Sequence, residues 1–311
     1  MKTVTAKLCS GISRSKAFEE KGLAQYAVNV GFKCGHACTY CSSDAMLRIQ
    51  LSKFGIKGSN KDCCVVDLNT PTRVAQDAKN KRNKGLIQLC TTVDAWAPEA
   101  QEYDLGRKCL EAILSEPGWE VRILTKNVAV AKDFDLIEKY RDRVLVGLSI
   151  TATPDRSHIV RITEPNASPI EERLQVINQA HNRGLRTYGM LCPLLPGIAD
   201  APAQIDELVK YLVNCGVEEI FAEAVNPRGR GLIQTQQALE AAGLYDVAGA
   251  VETIRNRQAW SAYVVRVIKN MQQSVHKYYD IRKLRFLQYL SGLRTEDIGR
   301  IRQDDAGVIW L

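Results

Sequence analysis

Residues 29–46 read NVGFKCGHACTYCSSDAM, and within them Cys34, Cys38 and Cys41 are separated by three intervening residues and then by two. Thiols grouped at this spacing point to a soft metal, for which thiolates are strong ligands. Three is one fewer than usual: a closed structural zinc site takes four ligands, and an iron–sulfur cluster normally takes four cysteines. Cys63 and Cys64 follow more than twenty residues later and could close a zinc site. The other possibility is an iron–sulfur cluster held by three cysteines, with one iron left open to a small molecule, as an open position marks a catalytic metal.

Composition bounds both possibilities. At 311 residues, 45% hydrophobic and 25% charged, the chain can bury a large core and has the size of one α/β barrel domain with an extension. The N-terminal MKTVTAKLCSGISRSKAFEEKG carries no apolar run of signal-peptide length, and no stretch approaches the ~18 apolar residues of a membrane span, so a cytoplasmic location is expected. In that compartment ten cysteines are expected as reduced thiols or metal ligands rather than disulfides. The net charge of +7 is uneven: Arg255–Arg285 holds eight basic residues against Asp280 alone, a surplus equal to that of the whole chain. Such a run is either a solvated face or a patch that meets phosphates.

Outward from the cysteines, apolar strand-like runs alternate with helical patterns, the mark of βαβ units around a parallel sheet. The periodicity predicts six strands, Gln25–Gly31, Leu86–Thr92, Val121–Lys126, Val144–Thr151, Arg186–Cys192 and Glu219–Val225. Between them it predicts helices over Glu99–Ser115, Ala129–Arg141, Ile170–Arg183 and Ala203–Cys215, and an insertion, Gln50–Arg82, with a polar loop and a helix near Thr72–Arg82. Beyond Arg230 the pattern turns helical to about Gly299. The expected organisation is an extension over 1–24, a partial barrel over 25–230 and a C-terminal helical module over 231–311. Chemistry in such barrels gathers at the C-terminal strand ends, and the cysteines fall after the first strand.

Cys34-xxx-Cys38-x-Tyr40-Cys41, with an aromatic before the last cysteine, resembles the signature of the radical S-adenosylmethionine (SAM) enzymes. The resemblance implies a partial (β/α)6 TIM-type barrel and a [4Fe–4S] cluster on Cys34, Cys38 and Cys41. It also implies that SAM binds the open iron and is cleaved reductively to methionine and a 5′-deoxyadenosyl radical, which abstracts hydrogen from a substrate. A flavodoxin- or ferredoxin-type reductant would supply the electron. Five further stretches, CTTVDAWAPE (90–99), LTKN (124–127), LSIT (148–151), EPNASPIEER (164–173) and CPLLPGIAD (192–200), are similar in order to the spore photoproduct lyase-like branch, over residues 25 to 230.

Carried over residue by residue, the resemblance implies that Lys126 pairs with the SAM carboxylate, that Ser149 and Thr92 bond its polar groups, and that Tyr40 and Asp94 lie at the cofactor. The residues alone allow plainer roles: Lys126 and Asn127 as strand-end punctuation, Ser149 as a core hydroxyl, Thr92 as a β-branched strand residue, Asp94 as a cap for the helix near Glu99. A Lys at a barrel strand's C-terminal end does point into the mouth, where a buried ammonium needs an anionic partner. Glu164 and Arg173 are expected to pair and hold the loop after the fourth strand. Cys90 corresponds in that branch to the cysteine that returns a hydrogen atom to the substrate radical, although here the run to the acid is one residue longer. Alternation would set Cys90, Thr92 and Asp94 on one face, against the plainer role of a buried core thiol.

FAEAVNPRGRG (221–231) brings Glu223, Asn226, Arg228 and Arg230 toward the mouth after the sixth strand. Glu223, in an otherwise apolar strand, needs a partner and is a candidate SAM or substrate contact. The C-terminal module is expected to close the barrel's open side and select the substrate. Its run SVHKYYDIRKLRFLQYL (274–290) interleaves basic and aromatic residues, as phosphates and bases would require. Ile281, Leu284 and Leu287 also form an apolar stripe at helical spacing, which favours a core helix with a basic face. The expected function is a radical SAM enzyme acting on a nucleic acid or nucleotide, in repair or modification, with no membrane partner. A peptide or small-metabolite substrate, a non-catalytic iron–sulfur electron carrier, and a zinc-stabilised nucleic-acid-binding protein are the alternatives.

Overall fold

The computed structural model of the chain describes residues 2–7, 10–42, 63–227 and 229–311. The polar GIKGSNKD loop (55–62) and Arg228 lie outside the described residues. The strands in chain order are β1 (Lys2–Thr5), β2 (Ser13–Arg14), β3 (Tyr26–Val28), β4 (Gly31–Lys33), β5 (Cys63–Val66) and β6 (Leu86–Leu89). They continue with β7 (Glu120–Thr125), β8 (Val144–Ser149), β9 (Arg186–Leu194), β10 (Ile220–Ala224), β11 (Leu284–Gln288) and β12 (Val308–Trp310). Among the described residues one sheet runs β12-β11-β10-β9-β8-β7-β6-β3-β2 and a smaller one β1-β5-β4. Every neighbouring pair of the large sheet is parallel except β2 with β3.

The expected α/β barrel is therefore present. Helices Leu105–Leu114, Ile170–Asn182 and Pro202–Asn214 lie in the crossovers between its strands and bury apolar stripes. A strand covered on both faces is apolar on both, and β8 is buried at every position. The interior is filled by Leu145 from β8, Tyr188 and Met190 from β9, Phe221 from β10 and Leu287 from β11. These residues alternate along their strands, so Ser149, Cys192 and Glu223, further along in the same phase, share the inward face at the C-terminal ends. Gly147 is the point of closest approach: a Cβ there would stand 2.4 Å from Tyr188 Cε1.

Three local expectations are corrected. The helix expected over Glu99–Ser115 is two pieces, Pro98–Gln101 and Leu105–Leu114, broken at Asp104, whose φ is 53°. The first strand divides after Val28, so the cysteines follow β4, which leaves the barrel to pair antiparallel with β5. The C-terminal segment is helical through Arg257–Tyr278, but the run expected as a core helix with a basic face is the 3-10 turn Ile281–Lys283 followed by β11. A short apolar run buried on both faces satisfies either periodicity, and here pairing with β10 prevails. β11 and β12 extend the barrel wall, while Phe18 and Leu23 of the N-terminal segment pack beside Ile309 and Leu311 in the interior cluster. Both ends of the chain thus help close the barrel's open side. Among the described residues no helix is long and apolar enough to cross a membrane.

Candidate functional site

The cysteine loop is pinned at each turn. Gly35 N–H donates to Glu99 Oε1 at 2.8 Å, Asn166 Nδ2 to the Gly35 carbonyl at 2.8 Å, and Thr39 N–H to the Thr163 carbonyl at 2.9 Å. Thr39 Oγ1 meets Thr235 Oγ1 at 2.9 Å, which ties the loop to the Gly231–Ala241 helix. Gly35 is required by proximity, since a Cβ there would stand 2.6 Å from Glu99 Oε2. Cys34, Cys38 and Cys41 are free, half-buried thiols. Burial, then the neighbouring Cys38, pushes the Cys34 thiol well up; burial, then Glu164, pushes Cys38 up to about 12.

Thiols such as Cys34 and Cys38 that resist ionisation suit a cationic partner, which reverses that preference. His36, in the same loop, is 1% exposed, and its Nε2 has no hydrogen-bond partner among the described residues. Its Nδ1 faces Asp94 Oδ2 at 3.5 Å, and burial lowers its pKa toward the neutral form. The thiols and this orphaned nitrogen fit an iron–sulfur group. Cys63 and Cys64 instead lie buried in β5, where Cys64 Sγ meets Thr3 Oγ1 at 3.5 Å. Among the described residues no three His, Cys, Asp or Glu side chains are drawn together closely enough to share one metal ion. A closed single-ion site is a tighter assembly than three corners of an iron–sulfur cube.

Beside the loop, Lys126 at the end of β7 has its anionic partner within the chain. Its Nζ stands 3.2 Å from Glu164 Oε1 and donates to Ser149 Oγ at 2.6 Å and to the Cys192 carbonyl at 3.4 Å. Glu164, fully buried at its side chain, also accepts from Arg173 Nη2, from the Tyr40 hydroxyl and, at 2.9 Å, from Thr151 Oγ1. Burial alone would raise the Glu164 carboxyl; Lys126 and Arg173 outweigh it and hold the pKa at about 2. The expected Glu164–Arg173 pair is thus present and is joined to Lys126, Ser149 and Tyr40.

Asp94 caps no helix. Its carboxylate accepts from Trp96 N–H at 2.8 Å, Thr125 Oγ1 at 2.8 Å and Lys126 N–H at 2.8 Å, clamping the loops after β6 and β7 together. Thr92 N–H and Oγ1 donate to Asn29 Oδ1 at 3.0 and 3.1 Å. Cys90 departs from the expected alternation because β6 ends at Leu89 and Cys90 takes φ 65°. It is 4% exposed, belongs to the core cluster that includes Cys109 of the Leu105–Leu114 helix, and does not share a strand face with Thr92 and Asp94.

The thiol on the inward face is Cys192. Its carbonyl accepts from Ser149 Oγ at 2.7 Å, while its Sγ lies 3.7 Å from Glu223 Oε2. Burial pushes the Glu223 carboxyl up, and the charge of Lys21 draws it partly back. Lys21 Nζ also stands 5.2 Å from the Tyr289 ring centroid. Cys192 therefore joins the Lys126 group to a second polar group built from β10, β11 and the N-terminal segment. Asn29, His36, Glu99, Cys192 and Lys21 were not singled out from the sequence. For Asn29 and Cys192 the available signal was a polar or thiol group at a barrel strand's C-terminal end.

The chain is similar to two uncharacterized proteins. ORF301 of Acidianus two-tailed virus is 30% identical over 223 residues, 67% of this chain and 69% of that protein. MJ0683 of Methanocaldococcus jannaschii is 29% identical over 184 residues, 59% and 66% of the two chains. Among solved structures, a mutant spore photoproduct lyase superposes with a TM-score of 0.61 at 15% identity, covering 89% of this chain and 79% of that one. Spore photoproduct lyase complexed with dinucleoside spore photoproduct gives 0.54 at 16% identity, covering 76% and 66%. These likenesses show a shared fold. The model of the Radical SAM superfamily matches residues 28–212, which include the cysteine loop and the strand ends around Lys126, Ser149 and Cys192, and the chain belongs to that superfamily.

Proposed function

We propose that the chain is a radical SAM enzyme whose Cys34, Cys38 and Cys41 hold a [4Fe–4S] cluster and whose substrate is a nucleotide or nucleic acid. When bound and reduced by a flavodoxin- or ferredoxin-type protein, the cluster and SAM together supply a 5′-deoxyadenosyl radical for hydrogen abstraction. The observation that carries the proposal is the pinned three-thiol loop set against the Lys126–Glu164–Arg173 group at the C-terminal strand ends.

In that group two cations face one carboxylate, which leaves one positive charge. Arg173 is fully buried, and the Lys126 side chain is 15% exposed, so the surplus is presented on Lys126 and suits the carboxylate of SAM. Ser149 fixes the ammonium, Asp94 holds the backbone from which it springs, and Tyr40 and Glu164 tie the cysteine loop to it. Thr92, held by Asn29, lies in the loop that follows β6. The packed interior below these residues keeps water from the reacting end. The nucleotide substrate is supported by the solved lyase complex, which holds a dinucleoside.

Protein purified without oxygen is expected to contain about four irons and four sulfides per chain and, reduced with dithionite, to release 5′-deoxyadenosine from SAM. Serine in place of Cys34, Cys38 and Cys41 together is expected to abolish both. Full iron content and SAM cleavage in that variant would end the proposal, and an intact cluster without SAM turnover would favour an electron carrier.

A further inference from the structure

A cavity of about 260 Å3 opens between the C-terminal ends of β10 and β11. Glu223 and Asn226 come from the β10 side, Leu287, Gln288 and Tyr289 from β11 and the residue after it, and Trp260 from the Arg257–Tyr278 helix. The volume falls just below the roughly 300–1,000 Å3 of pockets for drug-sized ligands, so it suits one ring system and not two. Trp260 is fixed, its indole N–H donating to the Val225 carbonyl at 3.0 Å, and so offers only apolar ring surface to an occupant. Glu223 is the one acid among the lining residues. Among the described residues its closest hydrogen-bonding contact is the long one to Cys192 Sγ, 3.7 Å, which leaves the carboxylate capacity to accept from a ligand's N–H groups. A flat ring with N–H donors on one edge and an apolar face is the chemistry of a nucleobase, recognised by stacking and by its hydrogen-bonding edge.

The ground outside the cavity agrees. Gly292 lies on its rim, and Arg257 Nε donates to the Gly292 carbonyl at 3.0 Å. Arg257, Arg294 and Glu296 line an open depression beyond it, in which Arg294 is paired with Glu296, so that the unpaired positive charge is the one on Arg257. Arg257 is exposed and makes no ion pair with an acid among the described residues. A phosphate attached to a base in the cavity would leave toward these guanidinium groups.

We propose that this cavity receives a single nucleobase, its ring against Trp260 and Tyr289 and its N–H edge on Glu223, with the attached phosphate over Arg257 and Arg294. The proposal deepens the functional one and rests on its nucleotide substrate. It also gives Cys192 a place, because its carbonyl belongs to the Lys126 group and its thiol touches the acid that would hold the base.

The test is equilibrium dialysis of the cluster-loaded full chain against AMP, GMP, CMP and UMP, each beside its nucleoside. At least one monophosphate is expected to bind saturably at one per chain. E223Q, which preserves shape and removes the charge, is expected to weaken binding of monophosphate and nucleoside alike by at least about tenfold, the scale of one hydrogen bond to a charged group. R257E/R294E, altered only at the surface, is expected to weaken the monophosphate by about tenfold and leave the nucleoside unchanged. Saturable binding by none of the four, or E223Q and R257E/R294E both binding as the parent does, would overturn the pocket. SAM cleavage by the same preparation is read separately. Cleavage without monophosphate binding removes the pocket and leaves the radical SAM assignment standing, whereas binding without cleavage supports the pocket and removes the other.

Discussion

Glu164 shows how one buried side chain can organise a site. Its carboxylate gathers Lys126, Arg173, Tyr40 and Thr151 from separate elements, and their charges and hydrogen bonds hold its pKa at about 2, well below the 4.5 of an ordinary glutamate. A depressed carboxyl contributes stability that is fully present above the unfolded value and is lost as pH falls through the folded one. Acidification from pH 4.5 to 2 should therefore remove about 3 kcal/mol from the wild type. Glu164→Gln should lack that limb of the profile and be destabilised at pH 7 by about 3–5 kcal/mol, because Lys126 and Arg173 lose their anion. Urea unfolding across that pH range reads both effects, and a parallel profile in the variant would refute the assignment. Lys126→Met leaves Glu164 paired with Arg173, so its main cost should fall on SAM: affinity about tenfold weaker or more by equilibrium binding. Unchanged affinity would return Lys126 to a purely internal role.

At the scale of elements, β8 and β9 illustrate how register builds the barrel interior. Gly147 pairs with Tyr188 across the ladder, and the absent side chain leaves room for the Tyr188 ring, over which the Arg122 guanidinium lies at 4.8 Å. Tyr188 also donates its hydroxyl to the Ile123 carbonyl at 2.9 Å, so the ring cannot swing away freely. Gly147→Ala should overpack this layer and cost about 1–3 kcal/mol in chemical denaturation. A cost below about 0.5 kcal/mol would mean the layer is looser than its geometry indicates. β11 carries the complementary lesson. Leu284, Phe286, Leu287 and Gln288 are all buried, a pattern that helical spacing also fits. Pairing with β10 decides for a strand and brings Gln288 and Tyr289 to the cavity.

At the scale of the molecule, strand direction separates the end of the basic stretch, Arg282–Arg285, from the cysteine loop. Leu284 is level with Ile220 at the start of β10, so Arg282 and Lys283 precede the strand and lie at the end of the barrel opposite the cysteine loop. Arg282 is paired with Asp280 at 2.7 Å, and Arg285 faces Glu219 at 3.6 Å. The phosphate-binding role expected for these residues is proposed instead for the depression beyond the cavity, where Arg257 makes no ion pair among the described residues and Arg294 is paired with Glu296. Arg282→Glu with Lys283→Glu should leave both 5′-deoxyadenosine release and the salt dependence of single-strand binding unaltered. A loss of log–log slope near 0.7 for each charge removed would show that the strand does run over that end.

The alternation of apolar runs and helical periods, read from sequence, was enough for the six barrel strands, and the spacing of Cys34, Cys38 and Cys41 was enough to single out the loop proposed to hold the cluster. Both are encoded within a few residues, where period and spacing act directly on backbone and ligand geometry. The partners of the site were not legible in that way. That Lys126 meets Glu164 and the Cys192 carbonyl, that Cys90 turns into the core while Cys192 faces Glu223, and that Lys21 reaches Tyr289 depend on which strands are neighbours, in what register, and where each ends. Those quantities are set by packing across the whole barrel, so residues far apart in the chain acquired their chemistry only from the tertiary structure.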